Sequence, residues 1–160
     1  MAGLETLAAL AGEWIATCQL RGDPSFECDT PSTATVTPLL GGRFIRIDYT
    51  WDADDVLQEH GPQHGSLQVG FEAEPEPGVA TVAWIDSWHN GSKMQVWPGV
   101  RLDNGGVDVR GVYSAPGEPE WGWRTMLEPA GEGWTMTMFN IAPDGEASLA
   151  VRAEYRRSGG

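Results

Sequence analysis

Apolar and polar residues alternate with a period of two along most of the chain. In the segment 44–51, Ile45, Ile47, Tyr49 and Trp51 alternate with mostly polar residues. Because successive side chains of a strand point to opposite faces, this pattern predicts a β-strand with one buried face. The alternation recurs in the segments 12–20, 33–39, 64–71, 79–88, 93–97, 107–113, 121–127, 134–140 and 149–155, so we predict nine or ten strands.

Short clusters of Gly, Pro, Asn and Asp separate these segments. Asn90-Gly91 is a strong signal for a two-residue hairpin between the segments 79–88 and 93–97. Only Leu4 to Leu10 has apolar residues at helical spacing. Strands joined by short turns favour an antiparallel meander, and a long meander removes its unpaired edges by closing into a barrel. We therefore predict an all-β, 9-10-stranded antiparallel barrel with a short N-terminal helix, a single domain over 1–160; a β-sandwich is the alternative.

The composition narrows the function. The chain has 10 Lys and Arg against 23 Asp and Glu, a formal net charge of −13. This charge excludes a nucleic-acid-binding or anionic-membrane-binding surface, where Lys and Arg supply the attraction. No apolar run reaches the ~20 residues of a membrane span, and the N-terminus lacks the basic region of a signal peptide, so we expect a cytoplasmic protein. Cys18 and Cys28 are too few for a disulfide scaffold, and either two reduced thiols or one short-loop disulfide fits them.

A Gly-x-Trp step opens the first predicted strand. Gly12 and Trp14 directly follow the short helix, and this arrangement resembles the start of calycin barrels, the group that includes lipocalins and fatty-acid-binding proteins. The resemblance implies that Trp14 closes one end of the barrel under an arginine from the last strand. Arg156 and Arg157 are the candidates for that arginine.

Three further segments are similar to an uncharacterised bacterial family of calycin-like β-barrel domains. They are Leu39-Leu-Gly-Gly-Arg-Phe44, Gly65-Ser-Leu-Gln-Val-Gly-Phe71 and Trp84-Ile-Asp-Ser87. Gly70-Phe71-Glu72 departs from the Gly-Tyr-Asp turn that is usual in that family. The resemblance implies the barrel fold over most of the chain and no particular chemistry.

The histidines do not form a metal-binding pattern. His60 and His64 have a spacing that would place both imidazoles on one face of a helix, but Pro62 and the adjacent glycines argue against a helix there. Haem ligation of the nitrobindin type would need a histidine on a late strand, and none follows His89. We therefore predict no metal and no cofactor.

Candidate acid–base residues lie near the end of the segment 79–88. Asp86 precedes His89 by three residues, and Tyr49 lies on the apolar face of an earlier strand. No Gly-x-Ser-x-Gly motif is present to mount Ser87 as a nucleophile. Asp86, Tyr49 and His89 are accordingly weak candidates for catalysis. Asp86 also fits a capping role in the following turn, or a polar contact to a ligand at the barrel rim.

Bulky side chains indicate a ligand-binding interior. The chain has 8 Trp, more than a barrel of this size accommodates as solid filling, so we expect some of them to line a cavity. An arginine inside would anchor an anionic ligand group, although charges on the solvated outer face are the commoner arrangement. The predicted ligand-binding residues are Trp84, Trp88, Trp123, Arg124, Met126, Met136 and Met138, with the methionines forming a soft wall.

Three functions fit this sequence. The first is binding of a small apolar or aromatic molecule inside the barrel. The second is cofactor-independent cyclisation or isomerisation of a polyketide-like natural-product intermediate in the same cavity; it resembles the use of calycin-like barrels in natural-product pathways and needs mainly orientation of the substrate. The third is a stable barrel whose exposed aromatic patch forms a homodimer. None of the three leaves a motif that distinguishes it from the others.

Overall fold

The computed structural model describes residues 4–22, 27–52, 61–72, 78–114 and 116–159. Within these ranges it contains one short helix and ten strands. They are α1 (Glu5–Ala8), β1 (Gly12–Leu20), β2 (Cys28–Leu39), β3 (Phe44–Trp51), β4 (Gln63–Phe71), β5 (Val79–Asp86), β6 (Gln95–Arg101), β7 (Val107–Tyr113), β8 (Trp121–Ala130), β9 (Gly133–Ile141) and β10 (Ala147–Arg157). No helix within the described ranges is long and apolar enough to cross a membrane.

The ten strands form one closed barrel. Each strand pairs antiparallel with the next along the chain, and β1 closes the barrel by pairing with β10. In that seam Trp14 lies opposite Arg157 and Cys18 lies opposite Ala153. The prediction of an antiparallel meander closed into a barrel, with a short N-terminal helix, is therefore confirmed. The alternative β-sandwich is wrong.

The alternation of apolar and polar residues divides the strands into an inner and an outer face. In β3, Ile45, Ile47, Tyr49 and Trp51 are all buried inside the barrel, as the alternation predicts. Burying a side chain of this size stabilises the folded state by about 1.5–3 kcal/mol relative to leaving it in water. Burial of the apolar face of each strand thus drives folding and determines which face of the strand points into the barrel.

One end of the barrel, here called the helix end, is closed by α1 and Trp14. Leu7 of α1 belongs to the buried core. The Trp14 indole N–H donates to the carbonyl of Leu10 at 2.8 Å, and its ring meets Trp134 edge-on at 6.4 Å. The Arg157 guanidinium carbon lies 4.1 Å from the centroid of the Trp14 ring. Of the two arginines considered, Arg157 therefore makes the expected stack.

The opposite end, here called the loop end, carries the connection between β5 and β6. β5 ends at Asp86 and β6 begins at Gln95, so the prediction of a two-residue hairpin at Asn90-Gly91 is wrong. The physical reason is the Asp86 carboxylate. Its Oδ1 accepts hydrogen bonds from the backbone N–H groups two and three residues ahead, at 2.8 Å each, and these bonds hold the chain in a wider turn.

A bulge interrupts the alternation in β10. The register shifts between Leu149 and Val151, and Ala150 and Val151 are both buried. Leu149, which was predicted to share a face with Val151, is only half-buried. An extra residue in one strand of an antiparallel pair moves the preceding side chains out of phase, which accounts for the difference.

Cys18 and Cys28 are not joined by a disulfide. Burial, aided by the neighbouring Cys28 thiol, raises the pKa of Cys18 to about 12. A thiol that keeps its proton is a poor nucleophile and metal ligand. Cys18 therefore acts as a small apolar core residue.

Candidate functional site

Asp86 is the centre of a hydrogen-bond network at the loop end. Its Oδ2 accepts a hydrogen bond from the Tyr49 hydroxyl at 2.5 Å, and its Oδ1 lies 3.1 Å from Nδ1 of His89. The Tyr49 oxygen in turn accepts from the indole N–H of Trp84 at 2.8 Å. The structure thus connects the three candidate acid–base residues through Asp86, which contacts Tyr49 of the distant strand β3 and His89 three residues further along the chain.

The surroundings of Asp86 fix the protonation of the network. Burial acts to raise the pKa of Asp86, but the hydrogen bond and charge of His89 and the hydrogen bond from Tyr49 outweigh it, so the pKa lies below its ordinary value of 3.8. Burial and the adjacent carboxylate raise the pKa of Tyr49 well above its ordinary value. Asp86 is therefore an anion and Tyr49 keeps its proton at neutral pH. This favours an orienting role for both groups over proton transfer by either.

Aromatic rings surround the His89 imidazole. Its ring centroid lies 5.2 Å from that of Trp123 and 5.7 Å from that of Trp84, and these two indoles stack on each other at 5.4 Å. The His89 side chain is 21% exposed. We call the connected rings the aromatic cluster; its members are Tyr49, Trp51, Trp84, Trp88, His89, Trp97, Tyr113 and Trp123.

Gly65 on β4 lets Tyr49 reach Asp86. It lies between them in the sheet, opposite Tyr49 of β3 on one side and Asp86 of β5 on the other. A Cβ atom at this position would overlap the Tyr49 ring. The Tyr49 ring occupies the space that a side chain at Gly65 would take, and its hydroxyl reaches Asp86 on the next strand. On β7, Gly111 leaves space in the same way for the Trp97 ring.

We expect Gly65→Ala to disrupt this network. The added methyl group forces the Tyr49 ring out of position, and overpacking of a dense core costs about 1–3 kcal/mol of the free energy of unfolding. Urea unfolding followed by circular dichroism measures the loss. Gly70→Ala on the same strand is the matched control, because its Cβ would meet only the Phe44 ring, which is 43% exposed and can move aside. Equal losses at the two positions would contradict the packing argument.

Two grooves on the described surface lie outside the barrel. One, of about 490 Å³, runs over the outer face of β2 to β5 and reaches Tyr49 and Asp86 at Gly65. The other, of about 470 Å³, lies over β1 and β10. The tryptophans line neither groove. Trp84 contacts both Trp97 and Trp123 instead, so these rings pack against one another at the loop end of the barrel.

Comparison with known proteins identifies the family. A family model described as "Protein of unknown function (DUF1579)" matches residues 3–157. The chain belongs to the DUF1579 family. Among solved structures it is similar to Rv2717c from M. tuberculosis, with a TM-score of 0.68 and 12% sequence identity over 99% of this chain and 98% of that chain. At this identity the similarity shows a shared fold alone. No curated protein matches the chain. The expected membership in an uncharacterised family of barrel domains is confirmed.

In this DUF1579 protein, most of the predicted ligand-binding residues lie inside the barrel. Trp84 and Trp123 are buried at the loop end and belong to the aromatic cluster. Trp88 lies in the connection after β5 and is half-buried. Met136 and Met138 are buried on the inner face of β9, with exposures of 1% each. Trp84, Trp123, Met136 and Met138 are therefore part of the buried inner face of the barrel, and their role in binding a ligand stays a prediction.

Arg124 and Met126 lie instead on the outer face of β8, where they alternate with the buried Trp123 and Thr125. Arg124 donates two hydrogen bonds to the carboxylate of Asp108, at 2.8 and 2.6 Å. The prediction that Arg124 anchors a ligand inside the barrel, with Met126 in the wall, is therefore wrong. Because the side chains of a strand alternate with a period of two, the inward position of Trp123 places Arg124 and Met126, one and three residues further along, on the outer face.

His64 does not join the site. His64 is exposed on the outer face of β4, and His60 lies outside the described residues. No group of three His, Cys, Asp or Glu side chains in the part of the chain that the structure describes is arranged to hold a metal ion.

The sequence reasoning missed three members of the aromatic cluster as site residues, namely Trp51, Trp97 and Tyr113. Each lies on the inner side of a predicted strand. In a meander each strand pairs with the next strand along the chain. The adjacency of β5 and β6 therefore predicts that Trp97 lies near Trp84. The residues at which strands face each other depend on register, which a single sequence does not reveal.

Two buried polar groups on β8 have no hydrogen-bond partner among the described residues. They are the indole N–H of Trp123 and the hydroxyl of Thr125. Both side chains lie on the inner face, and their exposures are 7% and 1%. An unpaired buried donor costs about 1–3 kcal/mol, and such groups often mark a place where a ligand or water binds.

Proposed function

We propose that this barrel binds a small uncharged aromatic or apolar molecule at the aromatic cluster. The observation that carries the proposal is the buried indole N–H of Trp123, which has no hydrogen-bond partner among the described residues and belongs to a ring 5.2 Å from that of His89. A carbonyl or ether oxygen of a ligand that accepts from this N–H removes the cost of leaving it unpaired. The Thr125 hydroxyl, two residues along the same face, supplies a second polar contact.

The partly exposed rings of the cluster give the ligand its first contact. Trp88 is half-buried, Tyr113 is 38% exposed and the His89 side chain is 21% exposed. Aromatic rings favour offset-stacked or edge-on contacts with other rings. Deeper in the barrel, Met136 and Met138 supply an adaptable wall. A net charge of −13 disfavours anionic ligands, which is why we propose an uncharged one.

Trp123→Phe tests this proposal, because it keeps a ring and removes the N–H. The probe is 1-indanone, a flat aromatic ketone, titrated in ligand-observed NMR, and native mass spectrometry of the purified protein searches for a retained small molecule. We expect the variant to bind 1-indanone about 3- to 10-fold more weakly, the net value of one hydrogen bond.

Trp134→Phe is the matched control. Its indole N–H is also buried and without a partner among the described residues, but it lies at the helix end. We expect its affinity for the probe to equal that of the wild type. Equal affinities of Trp123→Phe and the wild type, or no saturable binding at all together with no retained molecule, would contradict the proposal.

A second candidate function is cofactor-independent isomerisation or cyclisation of a natural-product intermediate in the same site. The contact between the Asp86 carboxylate and the His89 imidazole favours it, because a carboxylate-oriented imidazole is a common acid–base group. Conversion of a bound molecule to product by the purified wild-type protein, without any added cofactor, distinguishes this function from simple binding.

A further inference from the structure

We infer that His89 transfers protons to and from a carbon atom next to the carbonyl group of the bound molecule. This inference rests on the proposed binding site and names the chemistry it performs. The reactive group is the imidazole, held by Asp86, and the substrate class is an uncharged aromatic or polyketide-like ketone.

The Asp86 carboxylate orients the imidazole of His89. His89 Nδ1 lies 3.1 Å from Oδ1 of Asp86. The carboxylate is itself held by the Tyr49 hydroxyl and by two backbone N–H groups. The other ring nitrogen, Nε2, has no hydrogen-bond partner among the described residues. A proton on Nδ1 directed at Asp86 leaves the lone pair of Nε2 available as a base.

The groups around His89 stabilise the imidazolium that forms when Nε2 takes a proton. The Asp86 anion supplies the opposite charge at Nδ1. The indoles of Trp84 and Trp123, tilted by 40° and 54° against the imidazole with centroids 5.7 and 5.2 Å from its own, lie within the range at which a ring quadrupole attracts a cation. These groups are in place before any reaction, so they need no reorganisation.

The indole N–H of Trp123 is the hydrogen-bond donor for the substrate oxygen. As Nε2 removes a proton from the carbon next to the carbonyl, the electron pair of that C–H bond forms a C=C bond and the carbonyl π pair moves to oxygen. The unpaired indole N–H of Trp123 can hold this developing oxyanion. Replacement of the proton on Nε2 by one from solvent, followed by its transfer to the same carbon, exchanges hydrogen at that carbon, and transfer to a conjugated carbon shifts the double bond. No oxidant, reductant or cofactor is required for this balance.

The surroundings of Ser87 argue against acyl transfer by the same imidazole. Ser87 Oγ donates to Oε1 of Gln63 at 2.7 Å and accepts from the backbone N–H of His64 at 3.0 Å. It is therefore engaged with β4 and makes no hydrogen bond to His89. A nucleophile and its base must be within hydrogen-bond reach of each other, so the geometry points to proton transfer.

Hydrogen–deuterium exchange of 1-indanone tests the inference without knowledge of the natural substrate. The purified full chain is incubated with 1-indanone in D₂O, and loss of the α-CH₂ signal is followed by NMR. We expect the wild type to accelerate the exchange above the buffer rate. His89→Gln should lower the protein-catalysed rate about 100-fold, the usual share of a general base, while keeping its affinity for the ketone within about 3-fold. His64→Gln on the outer face is the control and should keep the rate.

A second variant keeps the test valid if His89→Gln is poorly folded. His89→Ala should lose the exchange activity and recover part of it when free imidazole is added, with an unchanged circular dichroism spectrum. Binding of 1-indanone without accelerated exchange would overturn the inference and leave the proposed binding function standing. Exchange that His89→Gln retains, or that His64→Gln loses equally, would also overturn it. Absence of binding would overturn the binding function itself.

Discussion

Asp86→Ala should destabilise the protein by about 3–5 kcal/mol, the range observed when one partner of a buried charged network is removed. The substitution leaves the Tyr49 hydroxyl and the backbone N–H groups of Trp88 and His89 without their acceptor. These donors lie in a site where Asp86 is only 4% exposed, so water reaches them poorly. Urea unfolding, followed by tryptophan fluorescence, measures the loss as a fall in the midpoint concentration.

Asp48→Ala is the matched control for this prediction. Asp48 lies on the outer face of β3, where its side chain is 44% exposed, pairs with Arg46 at 2.8 Å and accepts a hydrogen bond from the Ser66 hydroxyl at 2.7 Å. Exposed ion pairs contribute about 0–1 kcal/mol, so the control should unfold near the wild-type midpoint. Equal losses in the two variants would show that the network at the loop end has no special role in stability.

The pH dependence of the Asp86 contribution has a definite sign. Because the pKa of the folded state is lowered below 3.8, the stabilisation is complete above the pKa of the unfolded state and is lost as the pH falls through the lowered value. The difference in stability between wild type and Asp86→Ala should thus be constant near neutral pH and shrink below about pH 4. A difference that grows on acidification would contradict the assignment.

Trp14→Ala has the other large expected effect, a loss of about 3–5 kcal/mol for truncation of a buried tryptophan. The indole is 1% exposed. Its removal opens the helix end, breaks the bond to the carbonyl of Leu10 and leaves the Arg157 guanidinium without its ring. For a domain of this size the midpoint temperature should fall by roughly 6 to 20 °C, which differential scanning calorimetry measures.

Trp14→Phe distinguishes the contribution of the aromatic ring to stability from that of the indole N–H. It keeps an aromatic plug under Arg157 and should lose clearly less stability than the alanine variant. Because the helix end lies away from the aromatic cluster, the folded Trp14→Phe protein should bind 1-indanone as the wild type does. A Trp14→Ala protein that melts within about 2 °C of the wild type, well short of the roughly 6 to 20 °C expected, would show that α1 and Arg157 close the barrel without the Trp14 ring.

The strands and their inner faces could be predicted because alternation is a local signal. Ile45 to Trp51 illustrates this, since each buried residue is separated from the next by one outward residue. The wide turn after Asp86 could not, because it depends on a carboxylate that competes with the local hairpin preference of Asn90-Gly91. The bulge at Ala150 depends on the register between β10 and the preceding strand β9, which the period-two pattern of β10 does not encode.

The members of the site could be named from the sequence, but their contacts could not. Tyr49 and Asp86 meet because Gly65 lies opposite both of them, and that register spans three strands. The outward position of Arg124, in contrast, follows from the sequence, because the alternation that places Trp123 inside the barrel requires its neighbour Arg124 to lie outside.

The seam between β1 and β10 also determines when the protein completes its fold during synthesis. Arg157 donates from its guanidinium to the carbonyl of Ala11, 146 positions earlier in the chain. At about 5–20 residues per second, a ribosome needs several seconds to make the intervening strands, and in that interval β1 has no partner on one side. Arg152, Glu154 and Arg156, on the outer face of the last strand, place charges beside the seam. Such charges discourage pairing with another chain. The seam is thus the point at which the nascent protein passes from an aggregation-prone open sheet to a protected one.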